Sequence, residues 1–250
     1  MDKRGRQKRQ AHLINFLYSI ARKDFKHVLK AFPVINSYKR DIDKEVMCMI
    51  NAVINDPTNS ASALHRIIGL FFPLRPHDWI TSDTFMQSFA SININSYMTR
   101  TVRYSRVLPK LITLRAIYQA FDNMEEFCLY FHPKHPQQSL YESLYTKRSD
   151  DNYSHPGIAL ALMWLIRKNS DYALGLWDNY NQKDLVAPML SVIERRAYRE
   201  NLISRKEKNP EIALTKFFYK LDKKDPLKYI PLLAMKSWDE ILYDAGYVRT

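Results

Sequence analysis

Apolar residues recur at spacings of three and four along almost the whole of this 250-residue chain. The clearest stripes are Leu13, Phe16, Leu17 and Ile20, and then Val46, Met47, Met49, Ile50, Val53 and Ile54. This spacing places the apolar side chains on one face of an α-helix. No stretch longer than about five residues alternates as a half-buried strand does, and no repeat of fixed length is present. The sequence therefore predicts an all-α fold.

Proline, glycine and polar clusters divide this pattern into separate helices. In the first half the predicted helices cover residues 11–20, 46–54 (with Asp41 as the N-cap), 60–71, 84–89, 94–121 and 124–131. Pro109 predicts a kink or a boundary within 94–121. In the second half they cover residues 155–168, 173–180, 184–200, 210–221, 226–234 and 238–243.

Two polar segments, 132–136 and 147–153, are predicted to be loops. The second is the best position for a boundary between lobes. We therefore predict a basic N-terminal arm over 1–10, an N-terminal helical lobe over 11–146 and a C-terminal helical lobe over 147–250, with one compact domain as the alternative.

The composition narrows the class of protein and its compartment. Apolar residues make up 46% of the chain and glycines number five, which excludes disordered and collagen-like classes. The two cysteines, Cys48 and Cys128, lie in apolar stretches, so we expect core packing in a reducing compartment. No apolar run approaches the roughly 18 residues of a membrane span, and no cleavage site follows the basic N-terminus. The expected location is the cytoplasm, with no membrane span.

Positive charge is the feature that bears most directly on partners. The 38 Lys and Arg against 26 Asp and Glu give a net charge of +12. The cations cluster in three stripes: Lys3, Arg4, Arg6, Lys8 and Arg9, then Arg100, Arg103, Arg106 and Lys110, and finally Arg195, Arg196 and Arg199. A single stripe of this kind is usually a solvated helix face, whereas three together favour nucleic-acid binding.

Motifs for other chemistry are scarce in the sequence. It contains no Gly-rich phosphate loop, nucleophile elbow or paired-cysteine metal site. His132 and His135 are each followed by proline, which indicates a turn rather than a zinc site. We predict no metal and no cofactor. The Pro156-Gly157 turn leads into an apolar helix whose N-terminal N–H groups can hold a DNA phosphate, and a plain helix-entry turn is the alternative.

Three short motifs follow one another in the second half of the chain. They are Met163-Trp-Leu-Ile-Arg-Lys168, Gly175-Leu-Trp177, and Leu185-Val-Ala-Pro-Met189 followed by Arg195. A weaker match covers residues 221–229, and a vaguer one residues 43–54. In this order the motifs resemble the helix-hairpin-helix DNA glycosylase superfamily, in particular its bacterial 8-oxoguanine-glycosylase-like branch. The resemblance implies a two-lobed orthogonal helical bundle with a hairpin-like turn.

The chain departs from this family where the family keeps its catalytic groups. The family's catalytic lysine corresponds to Pro156, its aspartate to Leu190, and a following histidine to Val192. Cleavage through a Schiff base needs an amine nucleophile and a carboxylate, and neither proline nor leucine supplies one. The resemblance therefore implies a DNA-associated protein with a glycosylase-like scaffold and without the family's catalysis. On a continuous 184–200 helix, Leu190 is expected to be buried at the edge of the apolar stripe.

Duplex DNA, bound without sequence preference, is the predicted partner. The predicted DNA-binding residues are Pro156, Gly157, Arg167, Lys168, Arg195, Arg196 and Arg199, together with Arg100, Arg103, Arg106 and Lys110. One alternative is an active glycosylase whose acid has moved, with Asp171 or Asp178 as the substitute. Another is an interaction protein whose basic face binds an acidic partner or a membrane surface.

Overall fold

The computed structural model describes residues 3–21, 31–54, 73–90, 104–145, 155–168, 172–235 and 238–244. The helices are α1 (Lys3–Ala21), α2 (Ala31–Asn36), α3 (Asp41–Ile54), α4 (Pro76–Thr81), α5 (Phe85–Ala90), α6 (Tyr104–Ala120), α7 (Met124–Phe131), α8 (Pro136–Tyr145), α9 (Pro156–Ile166), α10 (Ser191–Arg199), α11 (Pro210–Leu221), α12 (Ile230–Ala234) and α13 (Trp238–Asp244). Two 3₁₀ helices cover Gln182–Asp184 and Pro226–Tyr229. No strand occurs in the described ranges, so the predicted all-α class is confirmed.

Helices with strong local signals begin and end close to where the sequence predicts. The Asn123 side chain caps α7 by accepting a hydrogen bond from the Glu126 N–H, as asparagine does at this position. Pro210 opens α11 at its first position, where a missing N–H costs nothing. The predicted helix 60–71 and the predicted loop 147–153 lie outside the described residues.

Two other predictions about local structure come out differently. The chain is already helical from Lys3, so the described part of the basic arm forms the first half of α1. Helix α6 continues through Pro109, so the boundary is wrong and the kink stays a prediction. The Thr113 hydroxyl donates to the Pro109 carbonyl oxygen at 3.1 Å, within the turn that follows the proline.

The segment after α9 is irregular, and the helix predicted over 173–180 is wrong. Gly175 has φ +60°, a left-handed conformation that interrupts a right-handed helix. The N–H groups of this segment bond to α9 instead of to their own carbonyls. Those of Leu174 and Gly175 donate to the Trp164 oxygen, and that of Trp177 to the Leu165 oxygen. Because these N–H groups bond to carbonyl oxygens at the C-terminal end of α9, the segment does not form a helix of its own despite its helical spacing of apolar residues.

The helix predicted over 184–200 begins only at Ser191. Pro188 has no N–H and disfavours a helical residue before it, and the Ala187 N–H donates to the Thr215 hydroxyl at 2.8 Å. Leu190 consequently occupies the N-cap of α10, with an extended backbone and a half-buried side chain. The expectation that Leu190 lies buried within a continuous helix is therefore wrong.

The chain forms two compact units. Unit 1 comprises residues 1–29 and 182–250, and unit 2 comprises residues 30–181. This grouping differs from the predicted division into 11–146 and 147–250. Helices α8 and α9, on either side of that boundary, pack together in unit 2, while α1 packs against α12 and α13 in unit 1. Joining the two ends of a chain in one unit is a non-local pairing without a local sequence signal.

Unit 2 is built around the packing of α3 against α9. Every residue of α9 from Gly157 to Ile166 is buried, which explains the apolar character of this helix on all sides. The two helices come very close at Gly157, where a Cβ atom would lie 2.4 Å from the Ala52 carbonyl oxygen. Only glycine permits this approach of two backbones.

Unit 1 has its own core, to which α1 contributes the fully buried side chains of Ile14 and Leu17. The Tyr229 hydroxyl donates to the Asn15 side-chain oxygen at 2.6 Å, and the Tyr229 ring packs against Phe218. None of the described helices combines the length and the apolar composition needed to cross a membrane.

Candidate nucleic-acid interface

Nearly all of the net positive charge of the chain belongs to unit 1. Residues 1–29 and 182–250 contain 22 Lys and Arg against 12 Asp and Glu, a net charge of +10. Residues 30–181 contain 16 Lys and Arg against 14 Asp and Glu, a net charge of +2. The smaller unit therefore has a much higher density of positive charge, and a polyanion is attracted chiefly to it.

Helix α10, which carries Arg195 and Arg199, ends in a capping motif. Asn201 adopts φ 54°, the Leu202 N–H donates to the Ala197 oxygen at 2.9 Å, and the Asn201 N–H donates to the Tyr198 oxygen. This is the Schellman arrangement, which satisfies the last carbonyl groups of a helix. The negative end of the helix dipole also stabilises cations in the final turn, so Arg199 has a structural reason for its position as well.

An open groove of about 1010 Å³ lies at this end of α10. Its lining residues are Glu194, Arg195, Tyr198, Arg199, Asn201 and Arg205. All three arginines are exposed, and only Glu194 among the lining residues opposes their charge. Guanidinium groups are suited to phosphate because they donate two parallel hydrogen bonds. The groove can therefore accept a phosphate backbone.

The basic half of α1 is attached to the same end of α10. The Gln10 amide donates to the Glu200 carbonyl oxygen at 2.8 Å and, at 3.5 Å, to that of Asn201, which lines the groove. The seven residues that precede Gln10 in α1 contain five cations. The first and third predicted basic stripes thus belong to one unit, and Gln10 joins the helix of the first stripe to the end of the helix of the third.

Two predicted DNA-binding arginines are buried rather than exposed. Arg196 forms an ion pair with the Glu200 carboxylate at 3.3 Å and donates to the Met235 carbonyl oxygen at 3.0 Å. It thereby connects the end of α10 with the residue that follows α12. Arg167, at the end of α9, is only 1% exposed. A phosphate backbone cannot reach a guanidinium group buried in this way, so neither residue belongs to the groove.

The remaining predicted residues belong to unit 2. Lys168 is exposed and paired with Asp178. Arg100 and Arg103 lie outside the described residues, as does Asp171, and Arg106 belongs to α6. The ammonium group of Lys110 lies 3.5 Å from the centroid of the Tyr145 ring, a cation–π contact.

The Pro156-Gly157 turn is engaged within the fold. The Gly157 N–H donates to the Nδ1 atom of His155, which caps α9, and Gly157 packs against Ala52 as described above. Burial, together with the Lys110 charge, lowers the pKa of His155 to about 4. His155 is therefore neutral at pH 7 and able to accept this hydrogen bond. This geometry fits the helix-entry alternative, and phosphate binding by the turn stays a prediction.

A second cavity, of about 230 Å³, lies in unit 2 and is acidic. It is lined by Asp41, Ile42, Glu45, Asp122, Asn123, Glu125, Leu176 and Trp177. Glu45 is 4% exposed, and its two oxygens accept hydrogen bonds from the Met124 N–H at 2.7 Å and the Trp177 indole at 2.6 Å. Burial raises the pKa of Glu45 to about 7 against the lowering effect of these bonds.

Glu45 thus connects α3, the start of α7 and the irregular segment after α9. Burial, and then the Glu45 charge, raise the pKa of the nearby Tyr118 phenol. No group of three or more His, Cys, Asp or Glu with metal-binding geometry occurs in the described part of the chain. We assign this carboxylate a structural role.

The sequence alone did not indicate three of these residues. Arg205 follows α10 in a polar segment, where several exposed cations look alike. Gln10 is a neutral residue at the end of a basic run. Glu45 did leave a signal, because it is a carboxylate beside the apolar stripe that begins at Val46, and a charge next to a core stripe indicates either a pairing or a buried site.

The fold and the groove define an all-α protein of two compact units, one of them strongly basic. The family described as "Protein of unknown function (DUF2400)" matches residues 32–233. Since this covers most of the sequence, the chain belongs to that family. No curated protein and no solved structure matches the chain.

Proposed function

We propose that this protein binds the phosphate backbone of duplex DNA through unit 1, without sequence preference and without glycosylase catalysis. The observation that carries the proposal is the concentration of charge: a net +10 in unit 1, with three exposed arginines around one groove. The basic half of α1, whose last residue Gln10 is hydrogen-bonded to the end of α10, adds five cations to the same unit.

The character of the groove favours backbone contacts over base recognition. Arginine contacts to phosphate position a protein on DNA but carry no sequence information. Such binding releases counterions and therefore weakens steeply with salt. With five or six phosphates contacted, the slope of log K against log salt is about −4 to −6.

The test is a titration of labelled duplex DNA, measured by fluorescence anisotropy over a range of salt concentrations. The test variant combines Arg195→Gln, Arg199→Gln and Arg205→Gln, which removes three charges and keeps polar side chains in the groove. The matched control combines Lys39→Gln, Arg75→Gln and Lys134→Gln, because these three residues are exposed and belong to unit 2. Both variants have the same net charge.

We expect the groove variant to reduce the magnitude of the salt slope by about 2 to 3, and the control variant by less than about 1. Equal effects of the two variants would show that only the overall charge matters and would refute the assignment to the groove. A slope near zero for the unaltered protein would refute DNA binding altogether and favour an acidic protein partner.

One observation bears on the alternative of an active glycosylase. The amine of Lys110 lies over Tyr145, whose ring is 4.0 Å from that of His155, the residue before Pro156. An amine must be uncharged to attack a sugar carbon, whereas the Tyr145 ring face stabilises the charged ammonium group. We therefore favour binding without catalysis. Borohydride trapping with abasic DNA, compared between the unaltered protein and Lys110→Gln, distinguishes the two.

A further inference from the structure

The C-terminal end of α7 presents two aromatic side chains that the fold leaves uncovered. Tyr130 is 75% exposed and Phe131 is 54% exposed, with their ring centroids 5.0 Å apart. Phe127 lies behind Phe131 at 4.9 Å, and Phe121 lies 5.8 Å from Tyr130. We call these four residues the aromatic patch. Adjacent large aromatic side chains in water are unfavourable unless a ligand or a partner covers them.

The segment that carries the aromatic patch is acidic. Residues 121–145 contain four carboxylates and one lysine. Glu126 lies four residues before Tyr130 on α7, so both side chains share one face of the helix. The Asp122 N–H donates to the Glu126 carboxylate at 3.0 Å, which keeps Asp122 beside it. This charge repels phosphate and attracts a cation.

Local helix chemistry explains the carboxylates but not the rings. Asp122 and Glu126 stabilise the positive N-terminal end of α7, as acidic residues in the first turn commonly do. Burying Tyr130 and Phe131 against the fold, or replacing them by polar residues, would remove the cost of their exposure. Both rings are instead exposed, and Tyr130 shares a helix face with Glu126.

We propose that the aromatic patch binds an arginine-bearing, apolar segment of a partner protein. A guanidinium group can stack on the Tyr130 ring while it donates hydrogen bonds to the Glu126 carboxylate. An aliphatic side chain of the same segment then packs against Phe131. Aromatic anchors with a charged rim form the energetic centre of many protein interfaces. This surface belongs to unit 2 and does not depend on DNA binding by unit 1.

The experiment uses the whole 250-residue chain and three labelled probes. These are a short peptide that alternates arginine and leucine, the same peptide with glutamate in place of arginine, and a single-stranded oligonucleotide. The variants are Tyr130→Ser combined with Phe131→Ser, and Glu126→Gln, which removes the charge and keeps an oxygen for the Asp122 N–H. Tyr243→Ser is the matched control, because Tyr243 is 73% exposed and lies in unit 1.

We expect the arginine peptide to bind and the glutamate peptide not to bind. The double aromatic variant weakens this binding about tenfold and Glu126→Gln about threefold, whereas Tyr243→Ser leaves it unchanged. Equal binding of the arginine peptide to the unaltered protein and the double variant overturns the proposal. So does oligonucleotide binding that the double variant abolishes, or a self-association in sedimentation experiments that the same variant abolishes. The oligonucleotide result would mean that the patch binds nucleic acid, and the self-association result that it binds a second copy of the chain.

Discussion

Gly157→Ala tests the close approach of α3 and α9 in the core of unit 2. Position 157 lies in the first turn of α9, and helix propensity alone predicts that alanine stabilises such a position by about 0.5–1 kcal/mol. The structure predicts that alanine destabilises the protein at this position. The new Cβ atom would lie 2.4 Å from the Ala52 carbonyl oxygen, with the Ala52 carbonyl carbon and Cα both at 3.2 Å. All three are backbone atoms, so no side chain can rotate away.

The size of the destabilisation follows from the displacement of the two helices that the new methyl group requires. Relieving the contact separates α3 from α9 by about 1 Å, which loosens a close-packed helix pair. Overpacking of this kind costs about 1–3 kcal/mol. We take the upper end because neither helix has a flexible atom at the contact. After the gain in propensity, the net loss is about 2 kcal/mol, or a fall of about 4–8 °C in Tm for a chain of this size.

The assay is thermal and urea unfolding followed by circular dichroism. The double variant Ala52→Gly, Gly157→Ala serves as the control, because removing the Ala52 side chain leaves its carbonyl oxygen in place. We expect no rescue. A Tm for Gly157→Ala equal to or above that of the unaltered protein would show that α3 and α9 do not approach this closely. The salt slope of DNA binding by unit 1 should not change.

Three further predictions concern Leu190, Glu45 and catalysis. Aspartate at the N-cap of α10 can accept a hydrogen bond from a backbone N–H, which leucine and alanine cannot. Leu190→Asp should therefore be about 1 kcal/mol more stable than Leu190→Ala in urea unfolding. The reverse order of stability would place Leu190 in a buried pocket. Because the pKa of Glu45 is raised from 4.5 to about 7, the folded state holds this proton more tightly than the unfolded chain does. The free energy of unfolding of the unaltered protein, relative to that of Glu45→Gln, should then fall by about 3 kcal/mol as the pH rises from 4.5 to about 7. A difference between the two proteins that stays constant with pH in urea titrations would contradict the burial of this carboxyl group. Borohydride should trap no adduct with DNA that contains 8-oxoguanine or abasic sites, and a trapped band on a denaturing gel would mean that a lysine outside the family position has become the nucleophile.

Local chemistry was sufficient to predict the class of fold and several helices. Helices α7 and α11 match their predicted ranges because their signals are short-range: an asparagine cap for one, a proline at the first position for the other. The spacing of apolar residues carries the same kind of information. The sequence likewise predicted an excess of positive charge and located two of the basic stripes that unit 1 contains.

Local chemistry could not predict the conformation of the segment between α9 and α10, or which individual arginines are buried. Residues 173–180 have helical spacing, but their N–H groups find acceptors on α9, a competition between distant segments. Arg196 and Arg199 look alike in a basic stripe, yet one is buried in an ion pair and the other is exposed.

The segregation of charge, with a net +10 in one unit, follows from the packing of α1 with the C-terminal helices. The sequence by itself determined that the fold is helical and how much charge the chain carries, because helical spacing is a local property and net charge depends on composition alone. Tertiary structure decided which charges face water and which segments share a unit, because burial and pairing depend on residues far apart in the chain.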